Sequence, residues 1–302
     1  MTKRLRLTLA YGIGSILMAQ GAPDHPSVVS DGKTFTPSRI LARNMGSPED
    51  QTTAFPPHKI LANIYYVGTK TLSSFLIVTP EGNILIDSTY ERNVRTIQKS
   101  VEQLGFKFSD VKILLGNHAH GDHQEGDALV KELTGAQVVA MAEDVPALKA
   151  MKVGGKEHPV DKIIHDGDTV TLGGVTLTAH LTAGHTHGAT TWTTKVTDAG
   201  KVYDVVFFSS LRSPNVLTPP VIDEFNHSFG VAKLLPCDVP LGDHPAEYGM
   251  TEKYAKLKPG APNPFIDPAG CKTEYLMEEA MFHAILDEQA KAFGQAKSTG
   301  KP

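Results

Sequence analysis

The segment His118-Ala119-His120-Gly121-Asp122-His123 constrains this chain most, because it places four possible metal ligands within six residues. Imidazole nitrogens and carboxylate oxygens in this density suit a metal of borderline character such as zinc. A regular helix or strand cannot direct all four side chains at one ion, whereas a loop can divide them between two neighbouring ions. The segment therefore predicts a metal centre carried by a loop.

The flanking residues predict where this segment lies in the fold. Residues 111–115, Val-Lys-Ile-Leu-Leu, form an apolar run typical of a strand, and Gly116 and Asn117 close it. Residues 125–133 have the pattern of a helix. The ligand segment is therefore expected on a strand-to-helix loop, where α/β folds place much of their chemistry.

Composition narrows the class of protein. The chain has 302 residues, of which 40% are hydrophobic, with 27 Gly and 20 Pro, as is ordinary for a globular protein. A net charge of −4 argues against a nucleic-acid partner. After the first 21 residues, no segment is apolar enough to predict a membrane span.

Residues 1–21 have the pattern of a cleavable secretory signal. Lys3, Arg4 and Arg6 precede an apolar run over 7–18, and the small residues Ala19 and Gly21 suit a cleavage site. The run is short for a membrane span, so we expect export to the periplasm and a mature protein without a membrane segment. The alternative is an N-terminal helix of the folded protein.

The remaining chain alternates short strands with helices. Residues 22–57 are rich in Pro, Ser and Asp and are predicted to form an extended N-terminal arm. Strands are expected at 64–68, 74–78, 83–87, 111–115, 137–140, 169–172, 175–181, 190–196, 202–209 and 239–241. Helices are expected at 91–104, 125–133, 143–151, 222–234 and 274–293. Because strands followed by helices occur twice, we predict one α/β domain over 58–295, a four-layer αββα sandwich, followed by a frayed tail over 296–302.

Two later histidines complete the candidate site. His185 follows the strand at 175–181 on a turn bracketed by Gly184 and Gly188, and His244 follows the strand at 239–241. His180 lies within a strand pattern and His187 lies beyond the turn. We therefore predict His185 and His244 as ligands and exclude the other two.

The series of Asp87, H-x-H-x-D-H, Gly-His and a late His resembles the motif series of the metallo-β-lactamase superfamily. The chain is more narrowly similar to the third subclass of class B β-lactamases, over about residues 58 to 290. The supporting stretches are 165–174, 178–186, 235–239, 244–250 and 260–265. The resemblance implies the αββα fold of that superfamily and a hydrolase with two zinc ions.

Carried over by position, the resemblance implies a role for each site residue. One zinc would be bound by His118, His120 and His185, and the other by Asp122, His123 and His244. Asp87 would support the metal loop, and Ser210 would lie near the second zinc and the substrate. Cys237 and Cys271, the only cysteines, are a disulfide candidate in an oxidising compartment, and the resemblance implies that they pair.

The chain departs from the subclass pattern at two places. Arg212 stands where a serine helps to hold the substrate carboxylate, and we predict that its guanidinium takes over that contact. Residues 124–126, Gln-Glu-Gly, stand where small residues and glycines are usual. These departures bear on substrate preference and not on metal binding.

The resemblance implies hydrolysis of the β-lactam amide bond in penicillins, cephalosporins and carbapenems by a metal-activated hydroxide. Asp122 would orient that hydroxide, and His118, His120 and His185 would hold the zinc that polarises the carbonyl. G-x-S-x-G does not occur, and hydrolysis by an activated hydroxide needs no serine nucleophile. The expected protein is a monomer whose partner is a small β-lactam. A lactonase or thioesterase on the same fold, or a non-catalytic metal-binding protein, are the alternatives.

Overall fold

The computed structural model describes residues 27–30, 32–214 and 216–299. The predicted signal at 1–21 and the last residues of the predicted tail, 300–302, lie outside the described residues. Within the described residues, no helix is both long and apolar enough to cross a membrane.

The larger of two facing sheets has seven strands in the order of the sequence. They are β3 (His58–Leu61), β4 (Ile64–Tyr66), β5 (Phe75–Thr79), β6 (Gly82–Ile86), β7 (Val111–Leu115), β8 (Gln137–Met141) and β9 (Lys162–Ile164). The first four pair antiparallel, and β6 to β9 pair parallel. The parallel half needs crossover connections, and the helices of this half supply them.

The second sheet has five strands, again in sequence order. They are β10 (Thr169–Leu172), β11 (Val175–Leu181), β12 (Thr190–Asp198), β13 (Lys201–Phe208) and β14 (Val239–Gly242). All pairs are antiparallel except β13 with β14, which a helical crossover joins. A separate hairpin pairs β1 (Val28–Ser30) with β2 (Lys33–Phe35).

Helices over 94–103 and 127–134 pack on the outer face of the larger sheet, and helices over 219–234 and 268–299 pack on that of the smaller one. The helices are α1 (Pro37–Met45), α2 (Val94–Gln103), α3 (Gly121–Gln124), α4 (Asp127–Thr134), α5 (Val145–Ala150), α6 (Pro219–Leu234), α7 (Met250–Lys256) and α8 (Pro268–Thr299). Short 3₁₀ turns at Glu91–Asn93, Phe108–Asp110, Ala142–Asp144 and Val153–Gly155 join some of these elements.

Successive side chains along each strand pack in different layers of the fold. Phe75 and Ile77 point into a core between the sheets together with Trp192, while Leu76 packs on the outer helices of the larger sheet. In β13, Phe207 points between the sheets and the neighbouring Phe208 points towards α6 and α8. Since successive strand side chains face opposite sides, both sheets are buried on two faces. The predicted four-layer αββα sandwich is confirmed.

The N-terminal segment differs from the prediction. Residues 22–57 were predicted to be extended, but 37–45 form α1. Thr36 caps this helix by accepting a hydrogen bond from the Arg39 N–H, Pro37 occupies its first turn, and Gly46 ends it with φ +56°. These are ordinary helix boundary residues, and the short polar helix between them lacked the apolar periodicity on which the prediction depended.

The last helix is longer than predicted at both ends. It begins at Pro268 instead of 274, where Asp267 accepts a hydrogen bond from the Gly270 N–H in the manner of an N-cap. It continues to Thr299, so residues 296–299 of the predicted frayed tail are helical. A disulfide joins Cys237, before β14, to Cys271 in the first turns of this helix, which confirms the predicted pairing.

Candidate metal centre

The metal centre lies where the carboxyl ends of β6, β7 and β14 and the loop between β11 and β12 meet. Asp87 follows β6, and its Oδ1 accepts a hydrogen bond from the Asn117 N–H at 2.8 Å. Trp192 of the second sheet donates its indole N–H to the Gly116 carbonyl, and the Thr190 N–H donates to the Asn117 carbonyl. The ligand segment after β7 is therefore fixed to both sheets before its first histidine.

His118, His120 and His185 form one cluster. Their ring centroids are 4.7 to 4.8 Å apart, and the ring planes are nearly perpendicular, at 82° to 90°. Each offers a ligand atom within 4.8 Å of the others. Three imidazoles in this arrangement leave room for a metal ion at the point that they face.

Asp122, His123 and His244 form a second cluster beside the first. His123 and His244 have ring centroids 5.0 Å apart and planes at 88°. Asp122 Oδ2 lies 3.3 Å from His123 Nε2 and 3.8 Å from His244 Nε2. Asp122 and His123 belong to α3, a single helical turn, rather than to the loop that was predicted to hold the whole motif. All six predicted ligands are thus brought together, in the two predicted groups.

A partner behind each ring orients four of the histidines. His118 Nδ1 lies 3.1 Å from Asp243 Oδ2, and His123 Nδ1 lies 3.0 Å from Asp87 Oδ2. His185 and His244 donate their Nδ1–H to backbone carbonyls. Those carbonyls belong to Arg212, at 2.9 Å, and to Thr71, at 3.0 Å. Because these partners occupy Nδ1, each ring presents Nε2 to the site, as metal-binding histidines do.

The unsatisfied atoms of the site fit a metal ion. His118 Nε2 and His123 Nε2 are buried and have no hydrogen-bond partner among the described residues. Asp122 is close to His123 Nε2 but does not form a hydrogen bond with it. A buried polar atom without a partner is costly, and one cation bound at each cluster would satisfy these two nitrogens. The donor set of imidazole nitrogens and one carboxylate suits a divalent metal of zinc type.

Burial and charge set the protonation of the ligands. Burial lowers the pKa of His118 well below its usual value and lowers the pKa of His185 to about 3. These two rings are therefore neutral, as metal ligands must be. Burial raises the pKa of the Asp122 carboxyl, but His123 and His244 outweigh it and hold that pKa well below its usual range.

His123 behaves differently because carboxylates surround it. Burial lowers its pKa, but Asp122, Asp243 and Asp87 outweigh the burial and raise the pKa well above the usual value. Without another cation, these carboxylates favour a proton on His123. A divalent ion beside Asp122 would balance the same negative charge.

The sequence motifs gave no role to Asp243, which lies next to His244. Besides contacting His118, its carboxylate accepts a hydrogen bond from the Ser210 N–H at 2.9 Å. The nearby Glu247 carboxylate accepts a hydrogen bond from the His244 N–H. Burial and the Asp243 charge raise the pKa of Glu247 to about 8. Proximity to His244 in the sequence was the one indication that could have identified Asp243.

The predicted substrate residues occupy the edge of the three-histidine cluster. Ser210 is buried, and its hydroxyl accepts a hydrogen bond from the Arg212 N–H. The Arg212 charge acts on His185 and on the buried Glu278, and its Nη1 is buried without a hydrogen-bond partner. Contact of either residue with a substrate stays a prediction.

The two histidines excluded from the site lie elsewhere. His180 contacts the Thr193 hydroxyl across β11 and β12 at 2.8 Å. His187 contacts Glu224 at 2.6 Å, and its side chain is 69% exposed. Neither belongs to a group of possible metal ligands among the described residues.

Comparison with known proteins places these observations in context. A family model described as the metallo-β-lactamase superfamily matches residues 68–198. The FEZ-1 metallo-β-lactamase from Legionella gormanii is 42% identical, with a TM-score of 0.76 over 79% of this chain and 98% of that chain. BJP-1, a subclass B3 metallo-β-lactamase of Bradyrhizobium japonicum, is 37% identical, with a TM-score of 0.76 over 81% of this chain and 98% of that one.

A curated relative carries a more general name. A probable metallo-hydrolase of Burkholderia pseudomallei is 28% identical over 209 residues, which is 63% of this chain and 66% of the relative. The chain thus matches just under two thirds of the length of that relative, whereas it matches nearly the whole length of both solved structures.

Proposed function

Because the chain belongs to the metallo-β-lactamase superfamily, we propose that it is a zinc-dependent β-lactamase that hydrolyses the β-lactam amide bond. The observation that carries the proposal is the 42% identity to a solved β-lactamase over 98% of that protein's length. The site supports it, because both ligand groups of a two-metal hydrolase are present at one open edge of the sandwich.

Two zinc ions per chain fit the donors. His118, His120 and His185 would hold one ion, and Asp122, His123 and His244 would hold the other. Bound zinc would supply Lewis acidity towards the carbonyl and make hydroxide available at neutral pH.

The chain's own side chains prepare the reaction. Neutral imidazoles at His118 and His185 leave their Nε2 lone pairs free to bind, and the carbonyl and carboxylate partners prevent these rings from rotating. Asp122 is ionised, partly exposed and directed into the site, so it can orient an attacking water by accepting a hydrogen bond from it. No covalent intermediate on the protein is needed.

Arg212 is the candidate contact for the substrate carboxylate. Its positive charge lies at the edge of the three-histidine cluster, where it acts on His120 and His185. Arg212→Ala should raise KM for β-lactams more than it lowers kcat. An unchanged KM with a loss of thermal stability would instead mean that Arg212 serves only to balance the buried charge of Glu278.

We further propose a monomeric enzyme in the periplasm. The basic and apolar residues of 1–21 support export, and the Cys237–Cys271 disulfide is typical of proteins in oxidising compartments.

A second candidate is a lactonase or thioesterase with the same zinc ligands. The Burkholderia relative is named a probable metallo-hydrolase, and that name specifies no substrate. The metal site alone does not separate the two functions, because both need the same activated water.

The deciding experiment is a substrate panel with the purified exported protein. A penicillin, a cephalosporin, a carbapenem, a lactone and a thioester would be compared by kcat/KM. We expect the β-lactams to be opened efficiently, with loss on chelation and no inhibition by clavulanate-type compounds, which need a serine. Efficient turnover of the lactone or thioester alone would overturn the proposal.

A further inference from the structure

Asp144 is a buried carboxylate that the function described so far does not use. It ends the 3₁₀ turn Ala142–Asp144 after β8 and is 3% exposed. Its Oδ2 accepts hydrogen bonds from the Ala119 N–H and the Thr186 hydroxyl, both at 2.8 Å. Its Oδ1 accepts from the Gly188 N–H at 2.7 Å.

These three donors lie in the two loops that carry the three-histidine cluster. Ala119 stands between His118 and His120, and Thr186 directly follows His185. The loops are far apart in sequence, since Asp144 is 25 residues from Ala119 and 42 from Thr186. The Asp144 carboxylate therefore binds both loops of the three-histidine cluster, which are too far apart in sequence to be joined by local contacts.

The loop around His185 is shaped to accept this contact. Gly188 has no side chain, and a Cβ there would lie 2.4 Å from the Asp144 backbone nitrogen and 2.6 Å from its Cβ. Such distances are not tolerated, so the loop approaches Asp144 this closely only because residue 188 is glycine. Gly184, at the other end of the turn, packs in the same way against Phe225, where a Cβ would lie 2.8 Å from the ring.

We propose that Asp144 is the positioning residue of the three-histidine metal site and sets the spacing of His118, His120 and His185 for a divalent cation. The identity of the cation as zinc rests on the proposed function, but the positioning role does not require that β-lactams are the substrate.

The test measures zinc affinity in a protein that keeps only the three-histidine site. In a His244→Ala background, the dissociation constant for zinc would be measured on the metal-free full chain by competition with a chromogenic chelator. Asp144→Asn keeps the size of the side chain but leaves one acceptor oxygen for three donors. We expect zinc affinity to fall roughly 10- to 100-fold, together with a changed visible spectrum of the cobalt-substituted protein.

Asp161→Asn is the matched control. Asp161 also accepts a backbone N–H, from Val138 at 2.9 Å, and pairs with Lys131, but it contacts neither metal loop. This variant should keep the zinc affinity and the cobalt spectrum of the His244→Ala parent. An unchanged affinity in Asp144→Asn, or an equal loss in Asp161→Asn, would overturn the proposal.

Thr186 provides a milder test if Asp144→Asn does not fold. Thr186→Val removes one of the three hydrogen bonds and should weaken zinc binding several-fold, whereas Thr186→Ser keeps the hydroxyl and should restore it. Equal zinc affinities for the valine, serine and parent proteins would contradict the positioning role.

The two proposals fail in different ways. If the unmutated chain binds zinc but does not open β-lactams, only the proposed function fails. If it opens β-lactams and Asp144→Asn binds zinc as the parent does, only the positioning role fails.

Discussion

Four of the five histidines of the metal centre are each oriented by one atom behind the ring. The Arg212 backbone carbonyl orients His185, and the Thr71 backbone carbonyl orients His244. Substituting the side chain of Arg212 or Thr71 does not remove either carbonyl. His118 and His123 are held by the carboxylates of Asp243 and Asp87. The site therefore combines rigid carbonyl partners with charged partners that also favour a cation.

His185 and His187 give a matched pair for testing ligand identity. His185→Ala should lose one bound metal ion and reduce kcat/KM severely, because it removes a nitrogen from the three-histidine group. His187→Ala should be nearly silent, since its ring lies on the surface against Glu224. Elemental analysis after dialysis and turnover of a chromogenic cephalosporin measure both effects. Metal loss in His187→Ala, with His185→Ala unaffected, would reverse the assignment.

At the level of residues, the six side chains that meet at the site could be predicted, and most of the groups that orient them could not. His118 to His123 are identifiable because they are clustered, and His185 and His244 because each follows a strand pattern with glycine nearby. Asp144 lies 25 residues from its nearest partner in the sequence and stands in no motif. Its role depends on tertiary contacts with two loops, which no local pattern encodes.

At the level of elements, the turn from β7 into the ligand segment is closely packed. A Cβ on Gly116 would lie 2.1 Å from Gln124 Cδ, and Gln124 is only 3% exposed. The larger residue at 124, which departs from the subclass pattern, is therefore accommodated because residue 116 has no side chain.

Gly116→Ala should lower the free energy of unfolding by about 1–3 kcal/mol, as overpacking of a buried site does. In a Gln124→Ala background the clash is gone, so the same substitution should cost much less. Denaturant unfolding of the four proteins gives this double-mutant cycle. An equal cost in both backgrounds would show that Gln124 does not limit the space at Gly116.

The disulfide ties α8 to the segment that leads into β14 and His244. The two cysteines are 34 residues apart in sequence, with Cα atoms separated by 6.1 Å. Cys237→Ser or Cys271→Ser should lower the free energy of unfolding by about 3–4 kcal/mol on the loop-entropy model. Urea denaturation of the oxidised protein and both variants measures this. Equal stabilities would mean that the bridge adds nothing to the fold.

Elements with an apolar run between clear turn residues were predictable, and elements without one were not. The strands Val111–Leu115, Thr169–Leu172 and Val175–Leu181 have the predicted bounds, because their apolar runs are bounded by clear turn residues. β3 and α7 were not predicted. The first has only two apolar residues and the second is mostly polar, so neither shows an apolar run that predicts an element.

For the whole molecule, the notable charge feature is a group of buried acids beneath the metal centre. Burial and the Glu247 charge raise the pKa of Glu278 from its ordinary 4.5 to about 7. Burial and the neighbouring acids also raise the pKa of Glu274 well above its usual value, although Arg43 lies 3.8 Å away. The folded protein therefore holds protons that the unfolded chain releases.

This proton uptake makes stability depend on pH. The pKa of Glu278 is higher in the folded than in the unfolded protein. Its stabilising contribution to the free energy of unfolding is therefore complete below about pH 4.5 and is lost as the pH rises towards about 7. The Glu278→Gln variant has no ionisable group at this position. The Tm of the variant minus the Tm of the parent should therefore be more positive at about pH 8 than at about pH 5. Exposed Glu157→Gln, in the same metal state, should show no such change. The same Tm difference at both pH values for Glu278→Gln would contradict the raised pKa.

The most direct test of the whole account is a zinc titration of β-lactam hydrolysis. Metal-free full chain would be titrated with zinc while opening of a chromogenic cephalosporin is followed. We predict no turnover without zinc and activity that rises to a plateau at two equivalents per chain. Turnover by the metal-free protein, or no ring opening at any zinc ratio, would contradict the assignment of this chain as a two-zinc β-lactamase.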